Sequence, residues 1–302
     1  MGVRTLIFIV YCLGMTFSIM SQRICTEEEN VVLINTIESK NSFISYVIIN
    51  EHTYIFKQKK DATKQFSVVR DALAAYVAEG FGIAHTVEII PSHKYFPGKI
   101  HVTCPGVILT IALGNTIRSQ PETKYYNLCL KQRNIRGKLS SHRWLTETII
   151  HQITWHKQLP IIIGLDLFLC NTDRHGGNLF YDPKTDSFCA IDMDNIFRRD
   201  LPALACRKLK LMLNNNKQFT HAEIEALKSV RDTIQYLLDK YTAKHLIKQL
   251  HFFIKQAGIA KKVLRTEKMV KKIARHEATI VQSRASSYKL IAMLNKIINS
   301  FQ

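Results

Sequence analysis

The sequence predicts an α+β protein of two lobes, the first rich in strands and carrying one helix, the second mainly helical. Three observations predict it. Short runs rich in β-branched and aromatic residues, separated by turn residues, fill the chain up to about residue 110. One stretch among them, residues 68–79, repeats its apolar positions near 3.6. From Thr220 to the end, apolar residues recur at helical spacing throughout. A chain of 302 residues can bury a core in each lobe.

The first segment, residues 1–21, reads as a leader. Met1-Gly2-Val3-Arg4 is a short basic start, and residues 6–20 are apolar and uncharged. That run falls short of the roughly twenty residues a spanning helix needs and suits a signal-peptide core, with an uncleaved N-terminal anchor as the second reading and a buried helix as the third. The expectation is therefore an exported or membrane-anchored protein. Of seven cysteines, Cys12 lies in the leader. The remaining Cys25, Cys104, Cys129, Cys170, Cys189 and Cys206 form an even set, which permits disulfides in an exported protein without establishing them. There is no C-x-x-C and no paired Cys/His spacing, which argues against a structural zinc site.

Residues 22–110 form the first lobe. Val31 to Ile34, residues 43–49 and residues 53–56 read as strands. Asn50-Glu51-His52 reads as the hairpin turn between the last two. Lys57 closes the third strand, and the helix over 68–79 follows with two acids, Asp71 and Glu79. Ser39-Lys40-Asn41-Ser42 is a turn whose hydroxyls and N–H groups could face a phosphate, an ordinary hairpin turn being the competing reading. Further strand-like runs at 87–90, 100–102 and 107–113 end the lobe.

Residues 111–302 form the second lobe. Residues 114–142 are polar and basic, either a substrate-facing insertion or a solvated loop, and 144–156 reads as a helix. The spacing of His142, His151 and His156 does not suit one helical face, so they are read as surface and packing residues. Thr220 to Glu223 is a capping-box pattern opening a helix. Others are expected over 246–253, 263–280 and 290–298.

The chemistry concentrates in residues 165–197. Residues 165–170 are an apolar, strand-like run that must be core, and a polar turn follows, Asp173-Arg174-His175-Gly176-Gly177-Asn178. Leu179-Phe180-Tyr181, a turn at 182–186, and Phe188-Cys189-Ala190-Ile191 make a hairpin ending at Asp192. Asp173, Asn178 and Asp192 are thereby delivered to one place. An Asp on a loop, an Asn five residues on and an Asp at the end of the next hairpin suit phosphoryl transfer. The first carboxylate orients the attacking hydroxyl, while the Asn and second Asp are hard oxygen ligands for Mg²⁺.

This segment resembles the catalytic centre of the phosphatidylinositol 3/4-kinase-like and HipA-like kinases, whose loop reads D-R-H-x-x-N followed by I-D. The chain carries Asp173-Arg174-His175-Gly176-Gly177-Asn178 and then Ile191-Asp192. The resemblance implies a protein-kinase-like fold and ATP-dependent, Mg²⁺-assisted transfer to a hydroxyl of a lipid or protein acceptor. It implies that Asp173 and His175 are catalytic, that Asn178 and Asp192 hold metal, and that Lys57, steadied by Asp71, binds the nucleotide with Ser39 and Ser42. His175 can equally be a turn-stabilising residue, and Arg174 is read as structural. One departure is Met193-Asp194 in place of the usual Phe-Gly, with Asp194 read as a solvated turn residue first and as a further acidic group at the metal second.

The net charge of +18 favours an anionic partner. Residues 255–275 hold eight Lys or Arg and one acid, which suits an anionic membrane surface or a merely solvated face. Aromatic interleaving is missing there, which argues against nucleic acid. Two other readings stay open: an inactive kinase-like binding module, and an anionic-surface binding protein.

Overall fold

The computed structural model describes residues 31–38, 42–49, 51–59, 65–79, 81, 86–90, 95–96, 100–101, 105–110, 112, 115–116 and 145–301. The expected leader (1–21), Ser39 and the basic stretch 117–142 lie outside these residues. So do Cys25, Cys104 and Cys129. Among the described residues, no helix is long and apolar enough to cross a membrane. The chain divides into two compact units: Met1–Ile111 with Phe252–Ile259, and Ala112–His251 with Ala260–Gln302.

The first unit is built on a five-stranded antiparallel sheet. In chain order its elements are β1 (Val31–Glu38), β2 (Ser42–Ile49), β3 (His52–Lys59), helix α1 (Phe66–Ala78), β4 (Thr86–Ile90), the two-residue strands β5 (Tyr95–Phe96) and β6 (Ile100–His101), and β7 (Gly106–Thr110). The sheet order is β1-β2-β3-β7-β4, so β3 is the central strand. Ile49 pairs with His52, a register that leaves a two-residue hairpin loop, and Glu51 takes the positive φ of 67° such a loop requires. Alternation fixes the buried face: Ser45, Val47 and Ile49 of β2 are buried, while Ile44, Tyr46 and Ile48 are half-exposed. Gly106 sits where a Cβ would come within 2.5 Å of the Phe56 ring, so the β3–β7 contact has no room for a side chain there. α1 is buried on nearly every side, which its run of Val, Leu and Ala allows.

The second unit begins with β8 (Asn115–Thr116), then α2 (Glu147–Ile153), α3 (Gln158–Phe168), and a hairpin of β9 (Leu179–Asp182) and β10 (Ser187–Ala190). It continues with α4 (Leu201–Asn214), α5 (His221–Lys240), α6 (Ala243–Gln256, whose last residues belong to the first unit), α7 (Lys261–Leu264) and α8 (Glu267–Asn299). α3 packs on α5, and α8 packs on α4 and α5. The expected capping box forms, Thr220 accepting from the Glu223 N–H and Glu223 accepting from that of Thr220.

Three expectations change. Residues 165–170 are no strand but the last turn of α3 and its exit, since this apolar run is buried all round, a pattern that cannot separate helix from strand. The single helix expected over 144–156 is the seven-residue α2, capped by Thr146. Val263 and Leu264 end the short α7, and from Glu267 on the helices expected over 263–280 and 290–298 are one continuous 33-residue helix, α8. Polar Ser283, Ser286 and Ser287 interrupt its apolar pattern yet lie buried. The Ser283 and Ser287 hydroxyls bond carbonyls of the preceding turn, and the Ser286 hydroxyl bonds the Asp200 carboxylate.

Candidate functional site

In the second unit the site begins where α3 stops. Cys170 adopts a left-handed conformation (φ 54°), its N–H bonds to the Leu167 carbonyl at 3.1 Å, and the Asn171 N–H bonds to the Asp166 carbonyl at 2.8 Å. This is the Schellman pattern, built here on cysteine rather than glycine. It folds Asn171 back on its own helix, and the Asn171 amide donates to Asp166 Oδ1 at 2.7 Å. The other end of that amide, Oδ1, accepts the N–H of Asp173 at 3.1 Å. The loop therefore leaves the helix in a fixed direction.

Asp166 is wholly buried, so its charge needs a partner. Arg174 provides one, its Nε 2.9 Å from Asp166 Oδ2 and its Nη2 3.2 Å from Oδ1. The remaining guanidinium nitrogen donates to the carbonyls of Asn178 and, at 3.0 Å, Ile191. Those carbonyls flank the two expected metal residues. Ile191 N–H also donates to the Asn178 carbonyl at 3.1 Å, which sets the start of β9 beside the end of β10. One buried arginine thus ties α3, the loop and the hairpin together, and Asn178 and Asp192 are carried side by side.

Asp173 lies on the loop between α3 and β9. Its carbonyl accepts the Asn178 side-chain amide at 3.0 Å, and its Oδ2 accepts the Asn195 amide at 3.1 Å. Burial raises its pKa above the usual carboxylate value, and the charges of Asp192 and Asp194 add to the rise. A neighbouring His175 and the Asn195 hydrogen bond act in the opposite direction. His175 accepts the Gly177 N–H on Nδ1 at 3.0 Å, which gives it a turn-stabilising contact beside the electrostatic one. Asp192 takes a positive φ of 56°, a conformation Asp tolerates better than most residues.

The departure at Met193-Asp194 has a structural account. Met193 is buried, its sulfur against the Arg174 guanidinium and 3.6 Å from the Asn171 amide, so it fills the core behind the clamp. Asp194 offers a carboxylate oxygen within 4.8 Å of one from Asp192. The donor set fits a hard divalent cation. Two carboxylates stand together, and the Asn178 amide nitrogen is already engaged, leaving its oxygen as the acceptor.

In the first unit, Lys57 lies on the central strand, paired through its backbone with Ile44 on one side and Val107 on the other. Its ammonium is 3.6 Å from Asp71 Oδ2 on α1, and both side chains are largely buried. Glu79 is exposed beyond the last turn of the helix. Ser42 is the first residue of β2, and nothing is described of its side chain.

No family model matches the chain, and no curated protein matches it. Among solved structures, the crystal structure of a Helicobacter pylori proinflammatory kinase, CtkA, is similar, with 12% identity and a TM-score of 0.46. The match covers 91% of this chain and 98% of that one. What this chain can do rests on its own side chains.

The sequence left three of them unremarked. Asp166 had a signal, as a lone charge in an apolar run that cannot be buried without a partner. Asn171 and Asn195 had none, because asparagine is an ordinary loop residue.

Proposed function

We propose that the chain is an ATP-dependent phosphotransferase acting on a hydroxyl. The observation that carries the reading is the Arg174 clamp, whose bonds to the carbonyls of Asn178 and Ile191 hold Asn178 and Asp192 beside the Asp173 loop. Asp173 would accept a hydrogen bond from the acceptor hydroxyl and orient it; its raised pKa makes it a better proton acceptor once ionised. Asn178 and Asp192 would hold Mg²⁺, which when bound neutralises charge on the nucleotide phosphates. In the first unit Lys57 would bind phosphate, and Asp71 would hold its ammonium in place. These residues position and neutralise more than they react.

The acceptor hydroxyl would belong to a lipid or a protein. Incubating the protein with labelled ATP and Mg²⁺ against separate lipid and protein pools tests it. Label should pass to a member of one pool with wild type and not with Asp173→Ala. Label that never leaves ATP, or that moves equally with the variant, contradicts it.

A further inference from the structure

Asn195 stands three residues past Asp192, between two carboxylates that repel each other. Its side-chain nitrogen is 3.1 Å from Asp173 Oδ2 and 2.9 Å from Asp194 Oδ1. A primary amide has two N–H bonds, and here each has a carboxylate oxygen as acceptor. The assignment of nitrogen is unambiguous, since the amide oxygen in that position would face two acceptors. The backbone of Asn195 is itself anchored, its carbonyl accepting the Thr172 N–H at 3.3 Å and the Thr172 hydroxyl at 3.4 Å. Two residues on, the Phe197 N–H bonds to the Leu169 carbonyl at 2.8 Å. The amide therefore projects from a backbone fastened to the same loop that bears Asp173.

We infer that Asn195 is a positioning residue: its amide bridges Asp173 and Asp194, fixing the Asp173 carboxylate by Oδ2 so that Oδ1 is the oxygen offered to the acceptor hydroxyl. This rests on the phosphotransferase reading of the site. A carboxylate held by one oxygen has one orientation to present, whereas an unheld one rotates freely about its terminal bond. Catalysis by positioning is sensitive to that difference.

The experiment has two arms, so that this inference and the phosphotransferase reading can fail separately. In the first, protein labelled with [¹⁵N]asparagine is observed by NMR, and the Asn195 side-chain pair is identified by its loss in Asn195→Ala. That pair should shift in both Asp173→Ala and Asp194→Ala. A pair unmoved by Asp173→Ala overturns the bridge, whatever the assays give. In the second, phosphate transfer is measured. Asn195→Ala should lower kcat about 10- to 100-fold with KM for ATP within about twofold. Asn195→Asp, of the same shape but presenting oxygen to two carboxylates, should lower it further, and thermal melts should show both variants folded. An unchanged kcat, or a rise in KM alone, overturns the positioning role. If the wild type transfers no phosphate, the phosphotransferase reading fails while the spectra still decide the bridge.

Discussion

Arg174 meets Asp166 with two nitrogens against two oxygens, at 2.9 and 3.2 Å, and both side chains are almost wholly excluded from solvent. Removing one partner strands the other's charge in the core. Arg174→Ala and Asp166→Ala are each expected to cost about 3–5 kcal/mol in urea unfolding. The double variant should cost clearly less than the sum, because no unpaired charge remains. Arg174→Lys should not rescue, since an ammonium cannot span both carboxylate oxygens and reach the Asn178 and Ile191 carbonyls as well.

Lys57 and Asp71 lie 3.6 Å apart in the first unit. Lys57→Met should weaken ATP binding by roughly tenfold or more, the loss of a strong charge contact to phosphate. Asp71→Asn should have a smaller effect in the same direction. Titration calorimetry with ATP and Mg²⁺ checks both, and affinities equal to wild type would contradict a nucleotide-binding role for Lys57.

Burial, with Asp192 and Asp194 nearby, holds the Asp173 pKa above the ordinary carboxylate value. Below that ordinary value the folded and unfolded chains are both protonated at this position. As pH rises through the window up to the raised pKa, the folded chain keeps its proton longer, so this group's contribution to stability falls. Asp173→Asn removes that loss. Without added divalent cation, its stability advantage over wild type should be smallest below the window and largest above it. Urea midpoints measured on both sides check this, and a pH-independent difference contradicts it.

Gly164 marks the crossing of α3 and α5. A Cβ there would lie 2.8 Å from Thr233 Cβ and 3.1 Å from the Val230 carbonyl oxygen. The backbone oxygen cannot rotate aside, so Gly164→Ala should destabilise by about 1–3 kcal/mol although alanine favours helix. Adding Thr233→Ala should restore only part of it. Denaturant melts of the three variants test this.

Much of the architecture is legible in local patterns. The β2–β3 hairpin follows from alternation around a two-residue turn, and α5 follows from the Thr220–Glu223 box ahead of apolar residues at helical spacing. Legibility fails where burial is complete. The end of α3 looks like a strand because every side of it is apolar, and α8 looks like two helices because its serines bond backward and pack inward. Asp200 caps α4 and Pro202 lies in its first turn, but an exposed Leu211 and half-exposed Leu204 and Leu213 blur its apolar stripe. In the site, the spacing of Asp173, Asn178 and Asp192 is visible in the chain. Arg174 is legible as a structural residue that pairs a nearby carboxylate or carbonyl, but its particular partners are not, because every residue has a carbonyl.

The most direct test of the central claim is Mg²⁺-dependent turnover of ATP by wild type and by Asp192→Asn. Asparagine tolerates the left-handed backbone of position 192 as Asp does, so the variant should keep the wild-type melt or exceed it, like charges having been relieved. Wild type should transfer phosphate in an Mg²⁺-dependent way, and the folded variant should lose about a hundredfold or more. Equal turnover by both, or turnover indifferent to Mg²⁺, would contradict the claim.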